Sequence, residues 1–227
     1  MPIDATLDVE RALFAAGAPV VIGVDEVGRG ALAGVVAVGA CAILPTCGEH
    51  PTGLRDSKLR SPTRRAALVP LTHDWAQAIA VGEAEPSEID EHGIIAALGL
   101  AGRRALIALH GAGVDVGRAE VIVDGVHDWL TPALTTAPSI RTRAKADRDC
   151  ASVAAASVVA KEHRDALMRD DHARFPVYGW DGNKGYGSPA HLAAIAEHGA
   201  SERHRRTWLR SATGAGPATH GASVTEV

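Results

Sequence analysis

The stretch PVVIGVDEVGRGALAGVVAVGACAIL, residues 19–44, carries the strongest fold signal in this chain of 227 residues. Its opening, PVVIGV, is short, β-branched and flanked by turn residues, as is typical of a buried strand. The apolar run at 31–44 has the same character, and the glycine-rich turn between the two segments predicts a hairpin that begins a sheet. At 14 residues the second run is too short for a membrane span of about 20.

Beyond this hairpin, segments of strand and helix character alternate along the chain. Strands are predicted at 75–85, 119–123 and 139–143, and helices at 62–71, 86–110, 148–174 and 190–197. The form Ser87-x-x-Asp90 indicates a capping box at the start of the helix at 86–110. The helix at 148–174 contains ASVAAASVVA, and its small side chains allow a close approach to a sheet. This order predicts an α/β domain with helices packed on a sheet.

The composition is that of a globular protein, with 46% apolar and 22% charged residues, and it excludes a wholly disordered or coiled-coil chain. The first ten residues lack the basic and apolar parts of a secretory signal, so we expect a cytoplasmic protein. Three cysteines without CxxC spacing predict neither a disulfide framework nor a zinc site. We expect an acidic segment at 1–18, a folded domain at 19–210 and a disordered tail at 211–227.

The net charge of −4 at first argues against a nucleic-acid partner. Its distribution weakens that argument, because residues 1–26 hold five acids against one arginine and the rest of the chain is neutral overall. The cations that we expect to be available to phosphates are Arg64, Arg65, Lys184, Arg203, Arg205 and Arg206. Net charge therefore constrains the partner less than the position of each acid does.

Two acidic residues follow apolar strands at the point where each strand ends. Asp25 follows VVIGV and Asp124 follows VIV, and in an α/β sheet this edge is where binding sites form. If the two strands are parallel neighbours, both carboxylates emerge at the same edge and can share a cation. Glu26 is adjacent to Asp25, and Gly28 and Gly30 permit the backbone turn that keeps the two acids together.

A third acidic position lies before the alanine-rich helix. A plain helix-cap role suits Asp147 and Asp149 equally well there, and each acid taken singly has a turn or cap explanation. Clustered carboxylates, however, repel one another, and a cluster persists mainly when hard cations hold it. Oxygen ligands without a cysteine or histidine set favour Mg²⁺ or Mn²⁺ over zinc. Two such ions can activate water for in-line attack on a phosphodiester, so the sequence favours hydrolysis of a nucleic-acid backbone.

The glycine motif GVDEVGRGALAG, residues 23–34, comes close to a dinucleotide-binding fingerprint. The spacing after Gly30 is one residue too long, and strand character follows where that fingerprint needs a helix. A P-loop is excluded because the chain has no GxxxxGK[ST] motif. What remains is a tight turn with one cation, Arg29, whose main-chain groups can approach a ribose 2′-hydroxyl, the group that distinguishes RNA from DNA.

Together these features resemble bacterial ribonuclease HII, the type 2 ribonuclease H family, over roughly residues 19–210. The segments that carry the resemblance are GVDEVGRG (23–30), DSK (56–58), AEPSEID (84–90), VIVDG (121–125), KAD (145–147), SVAAASVVAK (152–161), RD (164–165), NKGYG (183–187) and EHGASERHRR (197–206). The resemblance implies an α/β ribonuclease H-like fold, in which helices flank a five-stranded mixed sheet and a small helical part lies at the C-terminus.

The resemblance also implies the site residues. The metal-binding catalytic acids would be Asp25, Glu26, Asp124 and Asp147, with two Mg²⁺ or Mn²⁺ ions during catalysis. The turn Gly28-Arg29-Gly30 and Tyr186 would read the RNA–DNA junction, and residues near the nucleic-acid backbone would be Lys58, Ser152 and Lys184. The family usually has proline at Ala31, glycine at Ala146, histidine at Asn183 and a Val-Thr pair at Glu162-His163. None of these departures removes a metal ligand.

By this resemblance the chain would be a monomeric endoribonuclease without an obligate protein partner. It would hydrolyse the RNA strand of RNA/DNA hybrids and cut on the 5′ side of a single ribonucleotide in duplex DNA, leaving 3′-hydroxyl and 5′-phosphate ends. One alternative is a ribonuclease H-fold enzyme that acts on DNA, such as a junction resolvase, which has no reason to place GRG and a tyrosine beside a 2′-hydroxyl. The other is a non-catalytic hybrid-binding module, in which unneutralised carboxylates would repel phosphate.

Overall fold

The computed structural model describes residues 5–54 and 61–212, which contain one five-stranded sheet with helices on both faces. The strands are β1 (Val21–Val27), β2 (Val36–Ile43), β3 (Ala78–Ala84), β4 (Glu120–Asp124) and β5 (Ser139–Arg143). The helices are α1 (Asp8–Ala15), α2 (Pro62–Trp75), α3 (Pro86–His92), α4 (Ile94–Gly111), α5 (Ala146–Asp149), α6 (Ala151–Arg174), α7 (Trp180–Asn183), α8 (Pro189–His198) and α9 (Arg206–Ala212). Short 3₁₀ helices cover Val116–Arg118, Thr131–Ala133 and Pro176–Tyr178.

The strands lie in the order β3-β2-β1-β4-β5. β2 runs antiparallel to both β1 and β3, whereas β4 is parallel to β1 and β5 is parallel to β4. Val24 pairs with Val123, so Asp25 and Asp124 are the next residues on two parallel neighbours. The predicted mixed sheet is confirmed, and so is the parallel pairing on which a shared carboxylate site depends.

Side chains alternate across β1 and divide the interior into two cores. Ile22 and Val24 face α4, whereas Val21 faces α6. By length and composition α4 is apolar enough to cross a membrane. Its residues Leu98 and Leu109 are, however, fully buried in the core against the sheet, so it is the central helix of one face.

Helix α6 lies unusually close to the opposite face of the sheet. A Cβ atom at Gly23 would be 2.3 Å from the carbonyl carbon of Ser152, and one at Gly39 would be 2.4 Å from the carbonyl oxygen of Ala156. Only glycine on the strands and small residues on the helix permit this separation. The prediction that ASVAAASVVA packs closely on the sheet is confirmed.

The helix predicted at 86–110 is two helices, α3 and α4. The chain turns at Gly93, whose φ of +79° is a left-handed value that favours glycine. The predicted capping box of Ser87 and Asp90 is wrong, because the N-cap of α3 is Glu85, two residues before Ser87. Its N-terminus is closed by Glu88, whose carboxylate accepts the backbone N–H of Glu85 at 2.8 Å.

Other predicted boundaries also differ from the structure. The helix at 148–174 is interrupted at Cys150, which is extended and separates α5 from α6. The helix predicted at 62–71 continues to Trp75. The N-terminal acidic segment contains α1, whose Glu10 is fully buried. The predicted disordered tail lies outside the described residues from 213 onward, and 211 and 212 belong to α9.

Candidate active site

Asp25 stands at the carboxyl end of β1 with its side chain almost entirely buried. Its carboxylate accepts the backbone N–H of Glu26 at 2.8 Å and the hydroxyl of Ser157 on α6. Burial raises the pKa of Asp25 well above its ordinary value, and the nearby negative charges of Glu26, Asp124 and Asp147 raise it further, against the effect of Ser157. The four predicted acids are therefore close enough to repel one another.

Asp124 and Asp147 are held together by the start of α5. Asp124 Oδ1 accepts the backbone N–H of Ala146 at 2.7 Å, and Asp147 is the next residue, 7% exposed. The preceding Lys145 has a φ of +61°, a strained value for a residue with a side chain. This turn brings Asp147 of α5 to the end of β4.

Glu26 is half-buried beside Arg29. Its Oε1 lies 3.5 Å from the Arg29 guanidinium, while its Oε2 is buried and has no hydrogen-bond partner among the described residues. Burial raises the pKa of Glu26, the charge of Arg29 opposes that increase, and the charge of Asp124 adds to it. A buried carboxylate oxygen without a partner is costly unless a cation or a donor reaches it.

The four acids fit a hard divalent cation by their chemistry. All their donor atoms are oxygen, Glu26 Oε2 has no partner within the described part of the chain, and the mutual repulsion would be relieved by positive charge. Among residues 5–54 and 61–212, no three His, Cys, Asp or Glu side chains are arranged to hold a metal ion.

A cavity of about 440 Å³ opens beside Asp25 and contains most of the predicted recognition residues. It is lined by Asp25, Glu26, Val27, Gly28, Arg29, Gly30, Ser157, Lys161 and Tyr186. The structure thus brings the glycine turn and the Tyr186 ring to two of the acids. Sequence reasoning missed Ser157 and Lys161, although their spacing of four residues in α6 puts both on one helix face. Burial lowers the pKa of Lys161, against the effect of its ion pair with Asp165.

Tyr186 lies over a buried arginine. The Arg164 guanidinium is 5.6 Å from the centre of the Tyr186 ring, and Arg164 is fully buried. It donates hydrogen bonds to the carbonyls of Ala33, Val35 and Lys184 at 3.1, 2.9 and 3.0 Å. Arg164 therefore ties the NKGYG loop to the segment that follows the glycine turn, and sequence reasoning had assigned it no role.

Two predicted substrate contacts do not reach the cavity. Ser152 is fully buried, and its N–H and Oγ both donate to Glu10 at 2.9 and 2.7 Å. That prediction disagrees with the structure, because no surface of Ser152 faces solvent. Lys184 is half-buried in a left-handed conformation, and its ammonium donates to the carbonyl of Asp181 within its own loop. Lys58 lies outside the described residues.

Three of the six cations expected to be available to phosphates are used inside the protein, so that prediction is wrong for them. Arg65 is buried and pairs with Asp165 at 2.7 Å and with Glu162 at 3.2 Å. Arg203 pairs with Asp171 at 2.9 Å. Arg205 is fully buried. Glu162, a departure from the family pattern, thus has a structural partner in Arg65.

Two further departures, Ala146 and Asn183, keep the local structure intact. Ala146 supplies the N–H that binds Asp124 and needs no glycine conformation, since the left-handed residue is Lys145. The Asn183 amide donates to the carbonyl of Tyr178 at 2.7 Å and accepts the N–H of Gly185 at 2.8 Å. Asn183 therefore orders the loop before Tyr186.

Comparison with known proteins shows the family of this chain. A model of the family Ribonuclease HII matches residues 22–211. The chain belongs to the ribonuclease HII family. It is 46% identical over 210 residues to Ribonuclease HII of Streptomyces griseus, covering 89% of this chain and 83% of that protein. It is 38% identical over 200 residues to Ribonuclease HII of Chlamydia caviae, covering 88% of each. The protein is thus a ribonuclease H-type endonuclease, as predicted.

Solved structures of the wider group share the fold. Ribonuclease H2 of Pyrococcus horikoshii superposes with a TM-score of 0.66 at 25% identity, over 86% of this chain and 96% of that chain. Bst-RNase HIII in complex with Mn²⁺ superposes with a TM-score of 0.65 at 21% identity, over 89% of this chain and 73% of that chain. The predicted ribonuclease H-like fold is confirmed.

Proposed function

We propose that this endonuclease hydrolyses the RNA strand of RNA/DNA hybrids and cuts on the 5′ side of a single ribonucleotide in duplex DNA. It acts as a cytoplasmic monomer and leaves 3′-hydroxyl and 5′-phosphate ends. The observation that carries the proposal is one cavity in which Asp25 and Glu26 lie beside the Gly28–Gly30 turn and Tyr186. The acids proposed for catalysis therefore lie next to the turn and the tyrosine proposed to recognise a 2′-hydroxyl.

The four acids would hold the metal. Asp25, Glu26, Asp124 and Asp147 offer only oxygen donors, which suits Mg²⁺ or Mn²⁺. When bound, two such ions supply an activated water and stabilise charge on the leaving oxygen. Neighbouring groups of the protein orient the carboxylates: Ser157 orients that of Asp25, and the Ala146 N–H orients that of Asp124.

Substrate recognition is assigned to the other side of the cavity. Arg29 and Gly30 are exposed, so their main-chain groups can reach a ribose 2′-hydroxyl. Tyr186 is 40% exposed, so its ring can pack on a sugar or base. Lys161 lines the same cavity, with its ammonium paired to Asp165.

Cleavage mapping tests this proposal. The full-length protein is incubated with three duplexes of one sequence: all-DNA, DNA with a single ribonucleotide, and RNA/DNA hybrid. Each is tested in Mg²⁺, in Mn²⁺ and in EDTA. We expect a cut on the 5′ side of the single ribonucleotide, cuts throughout the RNA strand of the hybrid, and none in the all-DNA duplex or in EDTA.

Two results would contradict the proposal. Comparable cleavage of the all-DNA duplex would identify a DNA nuclease of the same fold. Tight hybrid binding in EDTA, with no cleavage in either metal, would identify a binding module. Neither result is expected from a cavity that places Asp25 and Glu26 beside an exposed glycine turn, with Asp124 and Asp147 close enough to act on Asp25.

A further inference from the structure

The segment 203–205 of the C-terminal part is paired with the chain just after the glycine turn. The N–H of Gly34 donates to the carbonyl of Arg203 at 2.8 Å, and the N–H of Arg205 donates to the carbonyl of Leu32 at 2.9 Å. Ala33 and His204 form an isolated antiparallel bridge between them. This pairing delivers the Arg205 side chain to the inner side of the turn.

Arg205 is fully buried, and its guanidinium binds main-chain carbonyls. It donates to the carbonyl of Gly28 at 2.7 Å and to that of Arg29 at 2.9 Å. Further bonds reach the carbonyls of Gly34 at 3.1 Å and Val35 at 3.2 Å. Within the described residues, no carboxylate forms an ion pair with it. Burial, together with the charge of Arg164, lowers the pKa of Arg205 to about 9.

These bonds determine where the N–H groups of the turn point. In a trans peptide the N–H lies opposite the preceding carbonyl, and the described residues contain no cis peptide. The carbonyls of Gly28 and Arg29 point inward to Arg205, so the N–H groups of Arg29 and Gly30 point outward. No described backbone or side-chain acceptor binds either N–H. Two adjacent free donors therefore lie in a turn that lines the cavity.

We propose that Arg205 is a positioning residue for ribonucleotide recognition, because it fixes the Gly28–Gly30 turn so that the N–H groups of Arg29 and Gly30 face a ribose 2′-oxygen. This inference rests on the proposed function. It assigns to Arg205 the selectivity for a 2′-hydroxyl, not the chemical step, and it explains why a guanidinium is buried without a carboxylate partner. A fork of donors can hold two successive carbonyls, whereas an ammonium is a single point charge.

The test is a cycle that combines a protein change with a change in the substrate. Cleavage is measured on duplex DNA holding one ribonucleotide and on the same duplex with 2′-fluorine in place of the 2′-hydroxyl. The ratio of the two kcat/KM values is the 2′-hydroxyl preference. It is determined for the wild type, Arg205→Lys and Arg205→Met. Arg203→Met is the matched control, since it removes an arginine of the same segment whose partners are Asp171 and Glu85.

We expect Arg205→Lys to reduce the 2′-hydroxyl preference by about fivefold or more, mainly through KM. The reason is that Arg205 and the Gly28–Gly30 turn belong to one hydrogen-bond network, so a change in Arg205 alters the contact between the turn and the 2′-hydroxyl. Arg205→Met should reduce it further. Arg203→Met should lower the Tm and leave the preference unchanged. If Arg205→Met does not fold, Arg205→Lys carries the test.

An unchanged preference in Arg205→Lys would overturn the inference. A fall in activity on both substrates by the same factor would do so too, because it would indicate a merely structural role. Failure of the wild type to cut the ribonucleotide duplex would instead refute the proposed function, so the two failures are distinguishable.

Discussion

Asp124 Oδ1 accepts a 2.7 Å hydrogen bond from the backbone N–H of Ala146. The bond joins the end of β4 to the start of α5, and it places Asp147 beside Asp124. An asparagine oxygen at position 124 can accept the same bond, but it lacks the negative charge that a divalent cation needs. A substitution at position 124 can therefore remove the negative charge while it keeps the hydrogen bond to Ala146.

We expect Asp124→Asn to lose about a hundredfold or more in kcat, the loss typical of removing one electrostatic group from an active site. Its Tm should stay within a few degrees of the wild type, since the Ala146 bond is kept. Cleavage kinetics and thermal unfolding measure the two quantities. Asp74→Asn, at an exposed acid on α2, should change neither. Near-normal cleavage by Asp124→Asn in Mg²⁺ would remove Asp124 from the catalytic set.

The sequence predicts the part of the site that depends on strands. Short β-branched runs identified β1 and β4, and an acid directly after each run placed Asp25 and Asp124 at one edge. This inference needs only the alternation of strands and helices and the parallel pairing of β1 with β4. Small residues in α6 likewise predicted its close packing.

Contacts between distant parts of the chain could not be predicted in this way. Ser152 binds Glu10, which is 142 residues away, and Arg205 binds the carbonyl of Gly28 at a separation of 177 residues. No local pattern shows whether such a side chain faces solvent or main-chain carbonyls. Both residues were therefore assigned to nucleic acid by resemblance or by charge, and both are buried.

Close packing of α6 on the sheet makes Gly39 intolerant of a side chain. A Cβ atom there would lie 2.4 Å from the carbonyl oxygen of Ala156, which is backbone and cannot move aside cheaply. We expect Gly39→Ala to lower the free energy of unfolding by at least about 2 kcal/mol, measured by urea denaturation. Gly48→Ala is the control, because a Cβ atom there meets nothing within 4 Å. Equal stability of the two variants would contradict the observed separation.

Glu10 attaches the N-terminal helix to the start of α6. Its Oε1 accepts both the N–H and the Oγ hydroxyl of Ser152, and the side chain is fully buried. Glu10→Ala leaves those two donors unsatisfied, so we expect a loss of about 2 kcal/mol in the free energy of unfolding. Asp8→Ala, an exposed acid of the same helix, should have little effect. If Glu10→Ala changes the stability less than Asp8→Ala does, the contact between Glu10 of α1 and Ser152 of α6 does not stabilise the fold.

Two buried histidines hold the loop that carries Tyr186. Trp180 Nε1 donates to His191 Nε2 at 3.0 Å, and the backbone N–H of Ser201 donates to His204 Nδ1 at 3.0 Å. His191 Nε2 and His204 Nε2 are 3.2 Å apart, and His191 Nδ1 is 2.9 Å from the Tyr186 carbonyl. When both rings are neutral, His191 Nδ1 donates to the Tyr186 carbonyl, and the one lone pair of His191 Nε2 is shared between the Trp180 N–H and the His204 Nε2–H.

Acid should therefore weaken the fold. Burial, aided by the charge of His191, lowers the pKa of His204 from 6.5 to about 4. A depressed histidine pKa means that the unfolded chain binds the proton first, so stability is present above pH 6.5 and is lost as pH falls toward 4. From pH 7.5 to 5, we expect His204 alone to cost about 2 kcal/mol in urea denaturation.

A variant isolates this contribution from that of other groups. His204→Asn keeps an acceptor for the Ser201 N–H but does not titrate, so its stability should fall less between pH 7.5 and 5 than that of the wild type. His110→Asn, at an exposed position on α4, should follow the wild type. Parallel curves for His204→Asn and the wild type would mean that His204 is not held neutral. Because His191 binds the Tyr186 carbonyl, the same acid titration should loosen the loop that completes the cavity.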